Sequence, residues 1–158
     1  MVFLVVGDRQ LCLVSEKETK GVVYTLNAFN GKLLAGIDEK IELYKSVICD
    51  DGSRELEYEC RHPGLVLALC VKTHGDFILV GDYLKSMYLL VYKHEQGGML
   101  EERARDYSAN WMTVVEFLDD DIYLGAESNF NIFTAKKNND AAINDEDQGN
   151  SSFLSVSE

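Results

Sequence analysis

Leu65 to Lys93, LVLALCVKTHGDFILVGDYLKSMYLLVYK, decides the fold: an apolar run, a polar turn, an apolar run ending at Gly81, a loop, then an aromatic-bearing run. Short runs of Val, Ile, Leu, Tyr and Phe bounded by Gly, Asp and His clusters read as consecutive antiparallel strands. The same order precedes this stretch in Val22 to Lys45, VVYTLNAFNGKLLAGIDEKIELYK. It follows it in Trp111 to Lys137, WMTVVEFLDDDIYLGAESNFNIFTAKK. The matching glycines, Gly36, Gly81 and Gly125, stand 45 and 44 residues apart. That is the roughly 40 to 45 residue period of four-stranded propeller blades.

A fourth strand follows each unit: LEYECR (Leu56 to Arg61), MLEERARDY (Met99 to Tyr107) and, ahead of the first unit, QLCLVSEKE (Gln10 to Glu18). Leu100 to Tyr107 alone supports a helix and an edge strand equally, and the repeat decides for strand. The opening MVFLVV is a further strand, shorter than a signal-peptide apolar region and far short of the ~20 residues that span a bilayer. The chain therefore reads as all-β: the end of one blade, two complete blades and three strands of another. A ring needs typically about four to eight blades, so this partial β-propeller is not closed. Near-continuous apolar runs such as VLALCV and FILVG mark inner strands packed on both faces. The repeated glycines mark close backbone approach or a positive φ. From Asn138 the composition turns to Asn, Asp, Glu, Ser and Gly without periodicity. Residues 1–137 thus form the propeller domain, and 138–158 are expected to be a disordered acidic tail.

The chain has 158 residues, 46% hydrophobic and 27% charged, with one Pro. This composition excludes disorder over most of it. Fifteen Lys and Arg against 27 Asp and Glu give a net charge of −12. Such a field repels a phosphate backbone, and no basic stripe is present, so direct nucleic-acid binding is not expected. Cys12, Cys49, Cys60 and Cys70 match neither zinc-ligand spacing nor a secreted disulfide framework, and read as buried, reduced thiols. His62, His74 and His94 sit in turn-like segments without a partner at metal-ligand spacing and read as surface residues. Asn144 to Asp147 fits a calcium loop poorly, and Asp119 to Asp121 is a hairpin turn. No nucleophile elbow, P-loop, metalloprotease motif or dinucleotide fingerprint is present, and no enzyme, metal or cofactor is expected.

What remains is surface. Trp111 opens an inner strand and is either a core residue or a partner anchor. Tyr24 and Tyr83 occupy the same end of neighbouring blades, and with Trp111 they compose an aromatic patch of the kind favoured at interface hot spots.

The segments EKETKGVVYTLNAFNGKLLA, KTHGDFILVGD, ERARDYSANWMTVVEFLDDDIYLGAE and NFNIFTAKKNN resemble, over about residues 1 to 140, the damage-specific DNA-binding protein 1 family. This is the large subunit of UV-damaged DNA-binding protein, in a plant-like version. The match falls on part of the third of its three β-propellers, within the wider cleavage and polyadenylation specificity factor A subunit family. The resemblance implies a non-enzymatic adaptor of cullin-4 RING ubiquitin ligases, acting in DNA repair and ubiquitin-dependent degradation, in the nucleus and also the cytoplasm. The first and third propellers of that family receive WD40-type substrate receptors and the damage-recognition subunit. The middle propeller holds the cullin, and neither of the other two is represented here. Carried over segment by segment, the receptor-binding residues are Val22 and Tyr24 in GVVYT, Leu67, Leu69 and Cys70 in LVLALC, Tyr83 in GDYLKS and Trp111 in ANWMT. Cys70 stands where the family commonly has tyrosine and Tyr83 where it has leucine. Past Asn139 the chain departs from the family. The alternatives to a docking module are a nucleic-acid-binding protein of the cleavage or splicing-factor type, contacting nucleic acid indirectly at most, and a truncated copy without function.

Overall fold

The structure, a computed structural model, describes residues 2–6, 10–137 and 152–157. Strands β1 (Val2–Val6) and β2 (Gln10–Ser15) form an antiparallel pair. Blade 1 is β3 (Val23–Phe29), β4 (Lys32–Ile37), β5 (Lys40–Ile48) and β6 (Arg54–His62), hydrogen-bonded in that order. Blade 2 is β7 (Ala68–His74), β8 (Phe77–Asp82), β9 (Met87–Lys93) and β10 (Met99–Arg105). Blade 3 is β11 (Met112–Phe117), β12 (Ile122–Glu127) and β13 (Ile132–Lys137), with β14 (Ser152–Ser157) antiparallel to β13. The three inner strands β3, β7 and β11 run side by side, so the blades fan about a common axis as the repeat predicts. Met99–Arg105 is a strand, as the repeat requires, because its alternating residues Leu100 and Ala104 are buried against neighbouring blades.

Within the C-terminal segment 138–158, one short stretch pairs as a strand. The backbone of Ser152–Ser157 pairs along β13, and two of its residues also meet Ala104 and Arg105 of β10 in parallel register. A strand edge with unpaired amides and carbonyls is a template, and this segment satisfies it. The acidic run Asn144 to Asp147 lies outside the described residues.

Two hydrophobic seams hold the arc. Phe29, Leu34, Ile41 and Leu43 of blade 1 face Val71, Ile78, Val80 and Leu90 of blade 2. Leu79, Met87 and Leu89 of blade 2 face Met112, Val115, Tyr123 and Phe133 of blade 3. Blade 2 is therefore buried on both sides, which is why its inner strands lack polar alternation.

The repeat glycines serve close approach, because none of the three has a positive φ. A Cβ on Gly36 would lie 2.6 Å from Thr25 Cγ2 and 2.9 Å from the backbone oxygen of Ala68 in the next blade. On Gly81 it would meet Cys70 Sγ at 2.4 Å, and on Gly125 the Phe133 ring at 2.5 Å. By contrast Asn30 and Gly31 both take positive φ, 48° and 76°, as a two-residue hairpin turn demands.

Polar ties cross the seams. Asn27 Nδ2 donates to the Val71 carbonyl at 3.0 Å, and Asn30 Nδ2 to Asp76 at 2.9 Å. Lys32 Nζ, half-buried between blades 1 and 2, donates to Glu59 at 2.6 Å and to the Tyr92 hydroxyl at 2.7 Å. Lys72 pairs with Glu116 of blade 3 at 2.8 Å. The histidines differ from expectation in one case. His74 and His94 are surface residues, but His62 ends β6 with its ring largely covered, 3.8 Å from Glu102, and burial holds its pKa below the ordinary value. Among the described residues no helix is long and apolar enough to cross a membrane, and no group of three or more His, Cys, Asp or Glu is placed to hold a metal.

Two outcomes test this packing. Gly36→Ala has a backbone oxygen in the way and is expected to lower unfolding free energy by about 1 to 3 kcal/mol in urea titration. Burial pushes the thiols of Cys60 and Cys70 up to about 11. At pH 8 only about one in a thousand is then thiolate. A maleimide pulse on the native chain is expected to label Cys49 well before Cys60 and Cys70, and mass mapping that finds equal rates would refute the burial.

Candidate protein-docking surface

Each inner strand slips register once, at the same place: between Val23 and Thr25, between Ala68 and Cys70, and between Met112 and Val114. The extra residues are Tyr24, Leu69 and Thr113. A bulge leaves one residue outside the ladder and re-aims its side chain. The bulged residue thereby stands out of step with its strand neighbours. Tyr24 is accordingly 43% exposed although it lies inside a strand. Thr113 is exposed too, its hydroxyl donating to the Ala126 carbonyl at 3.0 Å. Thr113 was not among the residues singled out from sequence, and its only signal was its place in the stacked repeat.

Trp111 lies just before β11 and Tyr83 just after β8, at the same rim. Their rings meet edge to face at 4.4 Å between centroids, an attractive geometry for two quadrupoles. Trp111 remains 44% exposed, which decides its reading in favour of surface over core. Leu67 is half-buried, its carbonyl accepting from the Tyr83 amide at 3.0 Å. Val22 and Leu84 add apolar exposure at either side. Cys70 is set apart from this group. It pairs with Gly81 in register, and its sulfur occupies the space that the missing glycine side chain leaves, packed toward blade 3.

Carboxylates at the ends of the second strands hold the rim in place. Asp82, fully buried, accepts from the amides of Val66 (2.7 Å) and Leu67 (3.3 Å) with one oxygen, and from those of Leu84 (2.9 Å) and Lys85 (3.0 Å) with the other. Four backbone donors satisfy its charge and fix both loops that carry Leu67 and Tyr83. Asp38 accepts from the Val22 amide at 3.1 Å, and Glu127 accepts from Asn110, the residue before Trp111. Each blade thus uses an acidic residue one or two places past its repeat glycine to pin the loop entering its inner strand. The pattern is present in the sequence as Gly36-Ile37-Asp38, Gly81-Asp82 and Gly125-Ala126-Glu127, but only the hydrogen bonds reveal its purpose.

Beside Tyr83 and Trp111 opens a pocket of about 230 Å³, lined by Leu84, Tyr88, Arg105, Tyr107 and Ser108. The Arg105 guanidinium stands 4.7 Å from the Tyr88 ring centroid and 5.6 Å from that of Tyr107, and is held by both oxygens of Glu102. The rim is therefore aromatic and aliphatic with a guanidinium fixed at its border. This suits burial against another protein.

A family model described as the CPSF A subunit region matches residues 2–157. The chain is 62% identical over 146 residues to DNA damage-binding protein 1a of Arabidopsis thaliana, covering 92% of this chain and 13% of the relative. It is 61% identical over 147 residues to DNA damage-binding protein 1 of Solanum lycopersicum, with the same coverage of each. Against DNA damage-binding protein 1 of Oryza sativa subsp. japonica it is 62% identical over 141 residues, covering 89% of this chain. The chain spans 13% of the length of these relatives. The repeat, the fanned blades and this identity agree: the chain belongs to the CPSF A subunit family, as a propeller segment of the DNA damage-binding protein 1 kind.

Proposed function

We propose that the chain is a non-enzymatic docking module whose rim receives a helix of a WD40-type substrate receptor, as one wall of a cullin-4 ligase adaptor in the DNA damage response. The observation that carries this reading is the edge-to-face pair of half-buried Tyr83 and exposed Trp111, with Tyr24 exposed on the inner strand of blade 1. Aromatic side chains with few rotatable bonds lose little entropy on contact and bury a large area. Val22, Leu67 and Leu69 extend the contact, and Cys70 acts behind it through packing. The cullin and the opposite wall of the cleft belong, in this reading, to segments other than the one described. The site of action is the nucleus, with access to the cytoplasm. Contact with damaged DNA runs through the bound receptor, because a net charge of −12 opposes a phosphate backbone.

Titration of the purified chain with a fluorescent helical segment of a WD40-type receptor tests the reading. Saturable binding is expected, weakened about 30-fold or more by Trp111→Ala, a loss of about 2 kcal/mol. Lys93→Ala, far from the rim, is expected to leave it unchanged. No saturable binding by the unaltered chain rejects the proposal. In a gel shift at low salt the chain alone is expected not to retain a UV-irradiated duplex, and tight, salt-sensitive retention would favour direct DNA binding instead.

A further inference from the structure

The hairpins that open blades 1 and 2 correspond residue for residue. Phe29, the last residue of β3, pairs with Lys32, and His74, the last of β7, pairs with Phe77. Lys32 reaches across the mouth of the first seam. Its ammonium stands 4.5 Å from the centroid of the Tyr92 ring of blade 2 and donates to Glu59 at 2.6 Å. An aromatic ring and a carboxylate there hold a cation that the chain itself supplies. At the mouth of the second seam the same position is Phe77, which brings a ring in place of an ammonium.

The second mouth is built of the same two ingredients. A pocket of about 400 Å³ opens between the β7–β8 turn and the β11–β12 turn, walled by His74, Phe77, Phe117 and Tyr123. The Phe117 ring meets that of His74 and that of Tyr123 with centroids 5.6 Å apart in each case, and Phe77 is 38% exposed. Asp76, Asp120 and Asp121 line the pocket against one ammonium, Lys137. Their charge reaches the wall: burial, and then Asp121 and Asp120, push the Tyr123 hydroxyl up to about 12. Residues 138–151, which follow Lys137 in the chain, carry four carboxylates and no Lys, Arg or His, so they offer the pocket no cation.

We propose that this mouth binds an arginine side chain from a basic segment of another protein, its guanidinium lying against the Phe77 and Phe117 rings and donating to the carboxylates of Asp120 and Asp121. Charge selects the class of ligand, and shape selects within it. A carboxylate pair in open water attracts a cation weakly, whereas aromatic walls that exclude water on one side strengthen the pairing. A guanidinium is flat, less strongly hydrated than an ammonium and carries five donors in one plane, so it stacks on a ring and meets two carboxylates together. The molecule makes the same arrangement with its own Arg105, set against Tyr88 and Tyr107 and held by Glu102. The mouth lies at the opposite ends of the inner strands from Tyr83 and Trp111, and the inference does not depend on what that rim binds.

The probe is a fluorescein-labelled peptide of alternating glycine and arginine with three arginines, titrated with the full chain and read by anisotropy. Two further peptides carry citrulline or lysine at every arginine. Saturable binding of the arginine peptide is expected, weaker by about tenfold or more with citrulline and by about threefold or more with lysine. Asp120→Asn combined with Asp121→Asn, in an exposed turn, is expected to weaken it about tenfold, and Phe77→Leu about threefold. Asp50→Asn combined with Glu55→Gln removes the same charge from exposed positions of blade 1, and Trp111→Ala alters the aromatic rim; each is expected to leave the affinity within about twofold. No saturable binding, or equal binding of the citrulline or the lysine peptide, overturns the proposal. So does an equal loss with Asp50→Asn and Glu55→Gln, which shows attraction to an acidic chain without a site, or a loss with Trp111→Ala, which moves the peptide to the rim.

Discussion

The structure depends on how closely adjacent inner strands approach. Where a side chain on Gly36 would stand, the backbone oxygen of Ala68 in the next blade is already within 2.9 Å, and on Gly81 it would stand 3.0 Å from Val115 Cγ1 of blade 3. Glycine at these points removes the atoms that would hold the blades apart. The apolar faces then close to van der Waals distance, and dispersion and water exclusion act over the whole seam. Stability arises between blades more than within them, since an isolated four-stranded sheet has two faces and no partner for either.

That arrangement packs the interior of the arc and leaves apolar and aromatic side chains at its rim. A strand packed on both faces cannot present a side chain to a ligand without leaving the ladder, and the bulges at Tyr24, Leu69 and Thr113 provide that departure once per blade. The buried carboxylate of Asp82 complements them. Its four amide donors turn two loops into rigid supports, so that Tyr83 and Trp111 meet in one geometry before any partner arrives. Preorganisation of this kind lowers the entropy lost on binding.

Charge is distributed to match. The ties across the seams, Lys32 with Glu59 and Tyr92, and Lys72 with Glu116, place several of the basic residues opposite carboxylates. The acidic surplus lies on turns such as Asp119 to Asp121 and on the far C-terminal run. The aromatic rim thus sits in a field unsuited to polyanions, with Arg105 as its bordering cation, stacked on two tyrosines.

The period of 44 to 45 residues and the strand positions were legible in the sequence because blade packing forces apolar runs, turns and glycines into a fixed order along the chain. Met99–Arg105 became legible as a strand only through that order, its local pattern being ambiguous. The rim was legible as residue types at matching positions. Its mechanism was not, because a bulge is a slip between two strands and leaves no residue of its own kind: Tyr24, Leu69 and Thr113 share nothing but place. Asp82 looks like any loop aspartate until folding surrounds it with four amides. Cys70 gives no sign in the chain that its sulfur packs into the seam toward blade 3. Ser152–Ser157 lacked an apolar pattern strong enough to announce a strand, and the edge of β13 supplied the reason for it to be one. Sequence alone determined which elements exist and how they repeat, for those follow from local pattern. Which side chains seal a seam and which stay exposed was decided by the packing of one blade on the next, a relation between residues dozens of positions apart.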